Sequence, residues 1–196
     1  MFGFITSCFG ENKERIYNGL QAVLVAVLIT AGTTFVTNYS NNLAQKKQVY
    51  LDSRKAAEDV ATDLINKLNE RQYYAQQMAV AFNWHMDEPL RYQEYVKALQ
   101  DWNMNLTTRL IAVKRYFGPD TQQQVIGLIK DFSEIHKLIL QNKNLFEQKK
   151  PQQNTADLLQ KAYAMDDKIS TFGDQLQEQL RAGAIDTAPR PPLKKL

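Results

Sequence analysis

Two histidines, His85 and His136, and one cysteine, Cys8, are the residues best suited by type to metal binding or nucleophilic chemistry. A helical di-metal site needs carboxylates together with paired Glu-x-x-His motifs on facing helices. Neither histidine has a glutamate three residues before it. The acids nearest His136 are Asp131 and Glu134, and Glu134, two residues away, falls on a different helical face. His85 stands close to Asp87 and Glu88, but a capped turn accounts for the same residues. Cys8 lies on the far side of a long apolar segment from both histidines, so a Cys/His nucleophile pair is not formed. The glycines are scattered and build no phosphate loop, and the aromatics, Trp102 among them, recur at core spacing. The sequence therefore predicts no enzyme, no metal and no cofactor.

The elements that would carry any such chemistry are helices. The apolar segment is Ile16 to Thr37, whose centre, Ala22 to Ala31, is apolar or small apart from Thr30. At a rise of ~1.5 Å per residue it reaches about 33 Å, enough to cross a bilayer core of ~30 Å. It is longer than the apolar stretch of a signal peptide and is not followed by a small-x-small cleavage site. Residues 16–38 are read as a single uncleaved transmembrane helix, with residues 1–15 as a juxtamembrane tail. Phe2, Phe4 and Phe9 of that tail suit an interface, and Cys8 is placed where acylation occurs. Within the span, Ala22, Ala26, Thr30 and Thr34 recur every four residues. This small, weakly polar stripe suits packing against another membrane helix, from a second copy or another membrane protein.

Beyond the span, apolar residues return at three- and four-residue steps. The first stripe is Ala57, Val60, Leu64, Leu68, Ala75, Met78 and Phe82. The turn at His85 to Pro89 offers Asp87 as N-cap and Pro89 in the first helical turn. The second stripe is Tyr92, Val96, Leu99, Trp102, Leu106, Leu110, Val113 and Phe117, closed by Gly118-Pro119-Asp120. The third is Val125, Leu128, Phe132, Ile135, Ile139 and Phe146, ending at Lys149-Lys150-Pro151. The fourth, capped by Asn154 or Thr155, is Leu158, Ala162, Met165, Ile169, Phe172, Leu176 and Leu180, with Gly183 as its stop. Gly127 and Gly173, inside helices, suit close helix crossings. Alternating β-branched runs are almost absent, which excludes a sheet-based fold.

Four one-sided helices joined by short connections bury their stripes as an antiparallel, up-down-up-down bundle with shallow, coiled-coil-like packing. The expected fold is all-α: the transmembrane helix, a membrane-proximal helical stalk at 39–56, the bundle at 57–183 and a Pro/Lys-rich flexible tail at 184–196. The first bundle helix is longer than the others, so Leu43 to Lys55 has no obvious partner, and Val49, Tyr50 and Leu51 form the expected stalk contact site. In the tail, Arg190, Lys194 and Lys195 suit anionic headgroups, and Pro189-x-x-Pro192-x-Lys194 has a minimal SH3-ligand spacing.

The formal net charge of +3 is spread through the domain without a basic stripe, which argues against nucleic-acid binding. Lys13 and Arg15 precede the span, whereas Lys46, Lys47, Arg54 and Lys55 follow it. The positive-inside rule therefore favours a cytoplasmic bundle, with a bacterial inner membrane as the expected setting. The function expected is that of a membrane-anchored interaction protein, an accessory subunit, adaptor or scaffold. The alternative is a membrane-tethered sensor. In architecture alone the chain looks like the four-helix sensing module of bacterial chemoreceptors. Those receptors return through a second span to a signalling domain, and no second span is read here. A sensor of this kind would need a small ligand between its helices and a separate output partner.

Overall fold

The computed structural model describes the backbone of residues 5–183, and side chains at position 27 and from 29 to 183. Every element among the described residues is helical: α1 (Ile5–Trp84), α2 (Glu88–Met104), α3 (Leu106–Glu147) and α4 (Thr155–Ala182). The chain separates into two compact units, Met1–Val49 and Tyr50–Leu196. Among the described residues no helix is long and apolar enough to cross a membrane. The side chains of most of the expected span, those of Ala22 and Ala26 among them, lie outside that description, as do the side chain of Cys8 and the tail with Arg190, Lys194 and Lys195.

The second unit is a helical bundle, and its cross-links run in antiparallel order. Down α1, Asp63 accepts from Arg109 and Lys67 donates to Asp101, so α2 and the start of α3 run against it. Tyr95 meets His136 where α2 faces α3, and Thr121 meets Gln179 where α3 faces α4. The circle closes where Asn83 contacts Thr155 and Gln72 donates to the carbonyl of Ala162. The charged links among these are partly exposed and fix register more than stability, at about 0–1 kcal/mol each. The core carries the free energy. Leu64, Leu68, Phe82, Trp102, Phe132, Ile139, Leu158 and Met165 are almost wholly buried, each worth about 1.5–3 kcal/mol over an exposed counterpart.

The chain reverses at Gly118, at φ 88° and ψ 174°, within α3. Only glycine holds such a conformation without strain, and Gln122 then donates back across the turn to the carbonyl of Leu110. The expected break is therefore where the sequence puts it. The expected continuous second helix is not: it is interrupted at Asn105, between α2 and the 106–117 arm of α3. Tyr95, Ala98 and Trp102 are buried, while the predicted Tyr92, Val96 and Leu99 are half-buried at the flank. Phe146, expected in the third stripe, is 41% exposed. Asn142 takes the inner position there, donating to the Leu138 carbonyl and accepting from the Gln153 N–H of the connection to α4.

All seven predicted residues of the fourth stripe are buried. Its C-cap, Gly183, is left-handed as expected, at φ 67°. The N-cap positions are the expected ones, but their geometry differs. Asp87 and Asn154 occupy the capping positions in left-handed conformation, and neither side chain makes a capping hydrogen bond. Gly173 receives the Ile65 side chain, whereas Gly127 faces open space and supports no helix crossing.

Candidate functional site

Along α1, Ala57, Leu64, Arg71 and Met78 recur every seven residues, and a seven-residue step returns to nearly the same helical face. That places Arg71 in the core row, and it is only 5% exposed. Its guanidinium lies 4.4 Å from the centroid of the Phe132 ring and 5.5 Å from that of Trp102. Its Nε has no hydrogen-bond partner, and neither has the indole Nε1 of Trp102. Burial pulls the Arg71 guanidinium down to about 10, so it stays cationic at neutral pH. The aromatic faces supply the negative charge density that a carboxylate would otherwise provide.

Arg109 approaches the same indole at 5.8 Å, with a different arrangement of partners. Its Nε donates to Asp63 at 2.8 Å and its Nη1 to the Trp102 carbonyl at 3.2 Å. The Tyr95 hydroxyl is hydrogen-bonded with Nδ1 of His136 at 2.8 Å, and the two rings stack at 5.8 Å. Burial pushes the Tyr95 phenol above its ordinary range, so it stays protonated. Burial, then the charge on Arg71, hold His136 below its ordinary value. The pair is thus a neutral phenol bonded to a neutral imidazole beside a cation held between rings.

This arrangement sets a pH dependence. Below the unfolded value near 6.5, the unfolded chain takes up a proton that folded His136 resists. Stability from this pair is complete above that value and declines as pH falls through the folded one. The urea midpoint should therefore drop between about pH 7 and pH 5. Because His136 is half-buried, solvent screening keeps the change small. His136→Gln should flatten the profile in that window and leave the carboxylate-driven loss below about pH 4.

A second feature is a groove of about 920 Å³ between α1 and α2, lined by Glu70, Tyr74, Glu94, Lys97, Asp101 and Met104, among others. Its volume lies within the range of small-molecule sites. Its three carboxylates are already engaged. Lys67 donates to Asp101 at 2.5 Å and to Glu70 at 2.7 Å, and Arg91 donates to Glu94 at 3.0 Å. Lys67 also holds the Asp101 carboxyl below its usual range.

Of the residues expected from sequence, Thr30 and Thr34 are exposed, and the hydroxyl of Thr34 donates to the carbonyl of Thr30 at 2.8 Å. Val49 and Leu51 are exposed. Tyr50, also exposed, has a neighbour in its own bundle, because Gly183 at the end of α4 lies against its hydroxyl. Arg71 and Tyr95 were not among the expected residues. The seven-residue recurrence through Ala57, Leu64 and Met78 could have found Arg71. Nothing local marks Tyr95, whose partner is 41 residues away. Among the described residues, no cluster of His, Cys, Asp and Glu is suited to a metal ion.

No family model matches the chain, and neither a curated protein nor a solved structure was found to be similar to it.

Proposed function

We propose that this chain is a membrane-anchored helical interaction protein, an accessory subunit, adaptor or scaffold that works by contact rather than catalysis. The observation that carries the reading is the row of large apolar side chains on α1 between residues 27 and 43. Val27, Ile29, Phe35, Val36, Tyr39 and Leu43 are all more than half exposed, Phe35 reaching 73%. Such a concentration on one helix marks a surface meant for lipid or protein. It overlaps the downstream half of the segment read from sequence as the membrane span, and Tyr39 stands where an interfacial aromatic belongs. The Thr30 and Thr34 region would meet a second membrane helix, and the basic residues downstream of the span favour a cytoplasmic bundle. The groove between α1 and α2 supports the sensor alternative by volume, but a ligand there would have to displace Lys67 or Arg91 from their carboxylates.

Fractionation tests the proposal. The full chain should stay with membranes through an alkaline carbonate wash, and a variant lacking residues 1–38 should be released. Ala26→Leu with Thr30→Leu should keep membrane attachment and weaken helix association in a membrane two-hybrid assay. Recovery of the intact chain in the soluble fraction without detergent would refute the anchor.

A further inference from the structure

Among the described residues Arg71 is the one buried cation. It makes no hydrogen bond and no ion pair there, and the Tyr95 phenol is the one ionisable group whose charge acts on it. Arg109, against the same indole, shows the ordinary solution: Asp63 matches its charge at 2.8 Å. A buried charge without a counter-charge is costly, and protein interiors pair it or give it a bound ion. The ring faces of Phe132 and Trp102 stabilise the Arg71 cation but leave its in-plane N–H donors unbonded.

Nε of Arg71 and Nε1 of Trp102 are both sealed from solvent and without an acceptor, in side chains 5% and 1% exposed. The guanidinium carbon lies 5.5 Å from the indole centroid, so the two unpartnered donors belong to one cluster. The terminal nitrogens of Arg71 are equally unbonded but are not sealed, so the guanidinium reaches solvent through a narrow opening. Half-buried His136, hydrogen-bonded with Tyr95, stands close enough to feel the Arg71 charge.

We infer that the Arg71 guanidinium binds a single small monovalent anion of the halide class, chloride in the cell, with the Trp102 indole N–H as the neighbouring donor. Charge decides for an anion over water, since water would satisfy the donors and leave the buried charge unmatched. The narrow opening decides for a small ion over a phosphate or the carboxylate of a peptide. One cation beside a neutral imidazole decides for a single negative charge, because a dianion would leave an excess buried. The site also couples halide to proton. The groups facing His136 are Tyr95 from α2 and Arg71 from α1, and on α3 Glu134 and Lys137 pair with each other. A bound anion cancels the Arg71 charge, so halide binding and protonation of His136 favour each other. The inference is independent of the interaction reading and of the anchor.

The test uses the full chain in maltoside micelles, at constant ionic strength with gluconate as the filling anion. The chain has two tryptophans, so Trp84→Phe leaves Trp102 as the single indole. Iodide should quench Trp102 emission along a saturating curve, although the indole is 1% exposed, and chloride should reverse it. Acrylamide, a neutral quencher, should have no effect. Arg71→Met should abolish the saturable quenching, with helical circular dichroism as the folding control. Two measurements on the unsubstituted chain decide even if that variant unfolds. Chloride at ten times its Kd should raise the folding equilibrium constant about tenfold over gluconate in urea unfolding. Chloride should also move the NMR titration midpoint of His136 upward, the other histidine being assigned by His85→Gln. Linear quenching or none, saturable quenching that survives Arg71→Met, or no competition by chloride would overturn the inference. So would equal stability in chloride and gluconate, an unmoved His136 midpoint, or sulfate displacing iodide as well as chloride does.

Discussion

Arg71→Met should stabilise the bundle by about 1–2 kcal/mol in urea unfolding at neutral pH, against the usual direction of core substitutions. Two effects oppose each other at this position. Burial lowers the Arg71 guanidinium from 12.5 to about 10, which corresponds to a penalty of about 3 kcal/mol on the charged form. The Phe132 and Trp102 rings return part of it, at about 0.5–2 kcal/mol per contact, the Phe132 contact being the closer. The unpartnered Nε shows that hydrogen bonding does not supply the rest. Methionine keeps an unbranched apolar stem of similar reach and removes both charge and orphan donor. Exchanging buried charge for well-packed apolar groups of similar volume is often neutral or stabilising by 1–4 kcal/mol. A loss of stability in the variant would mean that the ring contacts outweigh desolvation. Arg71→Ala is a different experiment, since it also opens a cavity and should destabilise.

The largest loss should come from Trp102→Ala, about 4 kcal/mol, a large part of the 5–15 kcal/mol that holds an ordinary domain together. Trp102 is among the largest fully buried side chains and stands between α1 and the 106–117 arm. Its removal leaves a void and strips a ring from both Arg71 and Arg109. A double-mutant cycle separates these terms. If the indole does stabilise the buried cation, Trp102→Ala should cost about 1 kcal/mol less in the Arg71→Met background. Strict additivity would assign the whole effect to the void.

How much of this was legible in the sequence varies from helix to helix. In α4, period and burial agree at every predicted position because its face meets a single continuous core, and its stop is a glycine, which takes the left-handed C-cap conformation without a Cβ penalty. In α2 the same three- and four-residue rule is satisfied by the predicted Tyr92, Val96, Leu99 and Trp102 and by Tyr95, Ala98 and Trp102, the buried Trp102 being common to both rows. Spacing alone cannot choose between them. The choice is made by tertiary contacts, small Ala98 and the hydroxyl of Tyr95 reaching His136, and by the interruption at Asn105. Asp87 and Asn154 are capping residues by type, yet both use their tolerance of left-handed backbone instead, a second property of the same side chains. Asn142 displaces Phe146 from the inner face because the connection to α4 needs an acceptor for the Gln153 N–H.

Gly183 coming to rest on the Tyr50 hydroxyl has a mechanical consequence. The bundle is entered and left at one pole, so its two ends are neighbours, the arrangement that circular permutation and insertion into a host loop exploit. A load applied across those ends would act crosswise on α1 and α4, peeling their side-chain layers apart one after another instead of sliding the helices past each other. The pole at Tyr50 is therefore where traction would open the domain first, and the opposite pole, with its two left-handed turns, would be the last to yield.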